Sequence, residues 1–128
     1  MTKRAVRTEA APAPFQGAPY SQAIEANGLV FVSGQLGLEP DHSTVVEGGI
    51  GAQTEQVFAN LRAILEEAGS GLDRLVKTTV FLTDLGNFGA MNEVYARHVG
   101  DVPPARATIE CGALPAGALV EIEAVALA

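Results

Sequence analysis

Only two stretches of this chain repeat apolar residues at helical spacing, and that shortage limits what it can fold into. In the first, Val57, Leu61, Ile64, Leu65 and Ala68 line one face between Ile50 and Ala68, while Glu55, Arg62, Glu66 and Glu67 lie mostly elsewhere. Gly69 is a natural stop for that helix. In the second, Phe88, Met91, Val94, Tyr95 and His98 predict a helix over Leu85–Val99, ended by Gly100 and the Pro103-Pro104 pair. Everything else that is ordered must be strand or loop.

The strand signals are clear in several places. Ala23–Ala26 and Leu29–Ser33 flank Asn27-Gly28, the strongest two-residue hairpin signal. Leu75–Leu82 (LVKTTVFL) is rich in β-branched residues, and Ala105–Cys111 and Leu119–Leu127 are joined by a Pro/Gly turn at Leu114–Ala118. Pro12, Pro14 and Pro19 exclude a helix from residues 1–22, where an edge strand near Ala5–Thr8 is expected. Gly34 to Gly49 reads as a loop. The order β(β)β-α-β-α-ββ makes an α+β sandwich, a mixed sheet with two helices on one face. A second face bearing Val, Thr and Phe from LVKTTVFL rarely stays wet, so a homo-oligomer in which uncovered faces meet is expected.

Composition narrows the function. A chain of 128 residues is expected to be one domain, residues 1–128, burying about two-thirds of its unfolded surface. Its charged fraction of 18% is low against roughly 25% for a typical domain, which also suggests a covered surface. Eight Lys+Arg against 15 Asp+Glu give −7, the wrong sign for a phosphate backbone. Cys111 alone allows no intrachain disulfide, and with His42 and His98 it offers no metal-ligand spacing. The opening MTKRAVRTEAAPAPF leads into no apolar core of signal-peptide length, and no run has the length of a transmembrane helix; a cytoplasmic protein is expected.

One arginine then stands out in PARATIECGAL, Pro104 to Leu114. Arginine is scarce in half-buried strands, because its guanidinium cannot shed its charge and needs a carboxylate. Arg106, Thr108 and Glu110 share one strand face, and Glu121 and Glu123 share a face of the strand that follows. If those strands pair antiparallel, a cross-strand Arg–Glu salt bridge explains the arginine without any ligand, and spacing alone favours that reading. Three features point the other way. Tyr20 sits in the proline-bounded segment Pro19–Ala23, Ser33-Gly34-Gln35 ends a strand where backbone can approach a ligand, and Asn92 lies one residue off an apolar stripe. No phosphate loop, Ser-His-Asp order or H-E-x-x-H occurs, and His98 fits its stripe as a core histidine.

Together these residues resemble the RidA/YjgF family of reactive-intermediate (enamine/imine) deaminases. The resemblance runs from APYSQA (Ala18–Ala23) through VFVSGQ (Val30–Gln35), QTEQVFANLRAIL, VKTTVFLTDL and FGAMNEVY to PARATIECGAL with VEIE. It implies a chorismate-mutase-like (YjgF-type) fold and a homotrimeric barrel with active sites in the clefts between subunits. It assigns Arg106 to the substrate carboxylate and Glu121 to the hydrolytic water, both catalytic. Tyr20, Ser33, Gly34 and Asn92 would shape the cleft, and Ala107 and Thr108 would complete the substrate-binding strand. Thr108 stands where many members have cysteine, and Ala18 where many have glycine before Pro-Tyr. Threonine keeps the backbone groups that touch substrate but removes any thiol chemistry.

The implied reaction needs no metal and no cofactor. An enamine tautomerises to an imine whose carbon is already electrophilic, so positioning, a water and a proton shuttle suffice. The implied partners are small 2-imino and 2-enamino carboxylic acids and two further copies of the chain, with neither nucleic acid nor membrane. Glu121, partly buried beside Glu123, is expected to have a raised pKa. Two other readings stay open: a non-catalytic carboxylate-metabolite binder on the same Arg106 pocket, and RNA binding or cleavage, which the acidic charge disfavours.

Overall fold

The computed structural model describes residues 2–41 and 43–128; Met1 and His42, the latter weighed above as a metal ligand, lie outside the described residues. Strand β1 (Arg4–Val6), β2 (Ala23–Ala26) and β3 (Leu29–Leu36) precede helix α1 (Gly49–Glu67). Then come β4 (Leu75–Leu82), helix α2 (Phe88–Ala96), β5 (Ala105–Glu110) and β6 (Val120–Leu127). The β2–β3 hairpin turns on Asn27 and Gly28, both at positive φ as its turn type requires. Helix α1 ends in a Schellman motif, with Ser70 N–H donating to Leu65 C=O and Gly69 N–H to Glu66 C=O. Three residues expected to open the second helix, Leu85–Asn87, form a separate 3₁₀ turn, because the Asp84 side chain caps Gly86 N–H at 2.8 Å and closes that turn first.

Six strands form one sheet in the order β1-β2-β3-β6-β4-β5, all antiparallel except β4–β5, which are parallel. The antiparallel pairing of the last two strands, on which the salt-bridge reading depended, does not occur. Instead of lying against β5, β6 inserts between β3 and β4, and β5 becomes an edge. Residue 34 is also not loop, since β3 continues to Leu36 through a bulge. From Val32 to Gln35 it advances three residues while β6 moves two, from Ala124 to Ile122, so Ser33-Gly34 face Glu123 as the extra step.

Both helices cover the same face, as the pattern predicts. Val57, Phe58, Leu61, Ile64 and Leu65 of α1 and Met91 and Tyr95 of α2 pack on Val30, Val32, Val80, Leu82, Val120 and Ile122 of the sheet. Each fully buried aliphatic or phenyl side chain contributes about 1.5–3 kcal/mol of burial free energy. The other face is bare in the protomer. Phe31 and Ile109 are exposed there, and Val125, Thr79 and Phe81 are only partly covered. Among the described residues no helix is long and apolar enough to cross a membrane.

Polar side chains on α1 tie the strand ends to the helix. Buried Asn60 donates from Nδ2 to Leu36 C=O (3.1 Å) and Leu38 C=O (2.9 Å), and its Oδ1 accepts from Gln56 Nε2. Gln53 Oε1 accepts from Leu119 N–H at 2.8 Å, and Gly37 has no Cβ because one would stand 2.9 Å from Gln53 Cα. Removing Asn60's amide takes a donor from each of two carbonyls. Asn60→Ala should therefore lower unfolding free energy by about 1–3 kcal/mol in urea titrations at fixed protein concentration. An unchanged midpoint would show that those carbonyls do not depend on the helix.

Candidate functional site

The residues singled out in the sequence fall into two groups on opposite faces of the sheet. Arg106 is level with Thr78, which is level with Ala124, and all three point toward the helices. Glu121 is level with Phe81, three residues along β4 from Thr78, and so points the other way. The internal Arg106–Glu121 or Arg106–Glu123 salt bridge is excluded by this arrangement.

The first group lies at the edge strand. Arg106 Cζ sits 4.7 Å from the Tyr95 ring centroid and 5.4 Å from that of Phe88, over both rings. Phe88, Asn92 and Tyr95 fall on one face of α2 at helical spacing, which places Asn92 between the two rings. Asn92 Oδ1 is buried and accepts no hydrogen bond from any described residue. Among the described residues the Arg106 guanidinium meets no carboxylate and no hydrogen-bond acceptor. Thr108 shares this face, while Ala107 points to the bare one. As the last strand of the sheet, β5 also leaves the outer half of its backbone N–H and C=O groups unpaired by any strand.

The second group lines a cavity of about 470 Å³ on the bare face, bounded by Phe15, Tyr20, Ser33, Gly34, Pro115 and Glu121. The bulge in β3 brings Gly34 against the Glu121 carboxyl so closely that a Cβ there would stand 2.7 Å from Glu121 Cδ. A side chain there would have to push the Glu121 carboxyl aside, so the glycine leaves room for that carboxyl and is not called for by backbone torsion. Tyr20 Oη accepts from Phe15 N–H at 2.6 Å, so its own proton is free for another acceptor. Ser33 Oγ donates to Ser21 C=O at 2.6 Å, which leaves its lone pairs open. Burial raises the Glu121 pKa above the usual 4.5, and the Glu123 charge adds to the rise.

Tyr20, Ser33, Gly34 and Glu121 are therefore brought together, and Arg106, Asn92 and Thr108 are brought together, but one protomer does not join the two sets. Phe88 and Tyr95 were legible only as members of an apolar stripe. Their spacing of seven with Asn92 between them was the available sign that they share a face with a polar residue. His98 has the structural role expected of it, stacked on Phe58 at 4.7 Å and bonded to Glu55 Oε2 at 3.0 Å. Its Glu55 partner, which also accepts from Arg97, is held below its ordinary pKa by those bonds despite an opposing desolvation. Among the described residues no cluster of His, Cys, Asp or Glu could hold a metal ion.

Residues 8–128 match the family model described as endoribonuclease L-PSP. A RutC family protein of Pyrococcus abyssi is 46% identical over 126 residues, spanning 98% of each chain. The mouse (Mus musculus) 2-iminobutanoate/2-iminopropanoate deaminase is 41% identical over 125 residues, 98% of this chain and 91% of the relative. The crystal structure of Escherichia coli TdcF with bound serine superposes with a TM-score of 0.89 at 31% identity, covering 98% of both chains.

The two causes of the Glu121 shift can be separated by titration. Carbon-13 NMR of the side-chain carboxyl should place its midpoint above 4.5. Glu123→Gln should lower that midpoint without returning it to 4.5, because burial is the larger cause and remains. A full return to 4.5 would make the neighbouring charge the dominant cause instead.

Proposed function

The chain belongs to the RidA/YjgF family, whose family model carries the description endoribonuclease L-PSP, and from that membership we propose that it is an enamine/imine deaminase. It hydrolyses small 2-imino carboxylic acids, formed from their enamines, to 2-oxo acids and ammonia. The observation that carries this reading is the Arg106 guanidinium, held over two rings with its N–H donors unclaimed by any described carboxylate. The mouse relative's name supports the substrate class, and the serine bound to TdcF is a small amino acid with the same carboxylate.

In this reading two copies meet with β5 of one against the Glu121 cavity of the next, three times around a homotrimer. Burying the bare sheet faces drives that assembly. Arg106 clamps the substrate carboxylate through two charge-assisted hydrogen bonds, which fixes orientation as a lysine could not. Tyr20 contributes its free O–H and Ser33 its free lone pairs across the cleft, with Ala107 and Thr108 lending edge-strand backbone. Glu121 takes a proton from water as the water oxygen adds to the imine carbon. It delivers that proton to nitrogen to give a carbinolamine, then relays the hydroxyl proton to nitrogen as well, so that the C–N bond breaks and ammonia leaves as the C=O forms. A carboxyl with a raised pKa accepts a proton more readily than an ordinary carboxylate and can return it. The charge of −7 and the lack of a basic cluster favour this over RNA cleavage.

Two experiments test it. Arg106→Lys should cost about 100-fold or more in kcat/KM for ammonia release from imines, roughly 2.7 kcal/mol, with the assembly still folded. Retained activity with lowered thermal stability would make the arginine structural. Arg106→Ala and Glu121→Gln should each be nearly inactive, yet refolding them together should restore activity at about one site in four, as random mixing of a shared-site oligomer gives. No recovery on mixing, or a monomer by light scattering, would sink the shared site.

A further inference from the structure

We infer that Tyr95 is a positioning residue for Arg106, a rigid aromatic platform that aims the guanidinium without consuming its hydrogen-bond donors. The inference rests on the carboxylate-clamp reading above. An arginine on an exposed edge strand is a long, mobile side chain, and a clamp that binds two oxygens at once needs its plane fixed beforehand. A protein carboxylate could fix it, but would occupy the N–H groups that a substrate requires. A ring face holds a cation by its quadrupole and accepts no N–H hydrogen bond in the guanidinium plane.

Of the two rings beside Arg106, Tyr95 is the nearer and the better anchored. It is 5% exposed, against 42% for Phe88. Its hydroxyl is bonded to Thr78 Oγ1 at 2.6 Å, and Thr78 is fully buried at the β4 position level with Arg106. Phe58 of α1 packs near-perpendicular to the ring, with centroids 5.4 Å apart and planes at 80°. Thus the strand that aligns Arg106 also locks the ring on which Arg106 rests. A tyrosine in this place does more than fill core, since a phenylalanine would fill the same volume without a buried hydroxyl to satisfy.

The test is calorimetric titration of 2-oxobutanoate, a product-like carboxylate, into the assembled protein. Tyr95→Leu should bind at least tenfold more weakly than the parent. Tyr95→Phe, which restores the ring, should recover part of that affinity and match Thr78→Val, because both cut the same bond. In an Arg106→Ala background Tyr95→Leu should cause no further loss, an outcome a purely structural role would not give. Equal losses in both backgrounds, or parent-like binding by Tyr95→Leu, would overturn the platform. Should Tyr95→Leu fail to fold, Thr78→Val decides: parent-like affinity with an unchanged Arg106 Nε–H resonance overturns it, and weaker binding with a broadened resonance supports it. A parent that binds no better than Arg106→Ala would refute the clamp itself, and with it the platform.

Discussion

Strand β6 runs between β3 and β4, and that insertion decides what the charged residues can do. Had β6 paired with β5, Arg106 could have neutralised Glu121 or Glu123 across one strand spacing. Instead β4 separates them, and the odd offset between Thr78 and Phe81 turns the two side chains to opposite faces. Each half is consequently left chemically incomplete: a cation resting on rings, and a carboxyl beside a glycine. In the proposed function, completion comes from a second copy of the chain.

That separation also protects the acid. A guanidinium placed directly against Glu121 would favour its ionised form and lower its pKa. Burial and the Glu123 charge act in the reverse direction and raise it. In the cleft proposed between two copies, a substrate carboxylate lying on Arg106 would offset the guanidinium charge before it could act on Glu121. In the proposed deaminase the protonation of Glu121 is thereby coupled to substrate binding, with a lower pKa expected in an empty cleft than in a filled one.

The fold was largely legible because its elements carry strong local signals. The stripe of Val57, Leu61, Ile64 and Leu65, the Asn27-Gly28 turn at positive φ and the β-branched run at β4 each need only neighbouring residues to be read. Strand order was not legible. The short link from β5 to β6 suggests a hairpin, whereas the actual order depends on β4 and β6 burying Val80 and Ile122 side by side beneath the helices. The site residues could be collected from the sequence, yet their division between two faces follows from that same order. Gly34 shows the limit in miniature: what a side chain there would displace is the carboxyl of Glu121, 87 positions away in the chain (121 − 34).

Thr108 becomes intelligible on the same grounds. It occupies an edge strand whose outward backbone groups no other strand in the protomer claims, and those groups are present whatever the side chain. Imine hydrolysis asks for no protein nucleophile, because the carbon is already electrophilic and the water already supplies the oxygen. A thiol at that position would thus add reactivity the reaction does not use. In the proposed deaminase the side chain at 108 is left to set the size of the pocket next to Arg106, while the guanidinium, the carboxyl and the strand's own backbone would carry the chemistry.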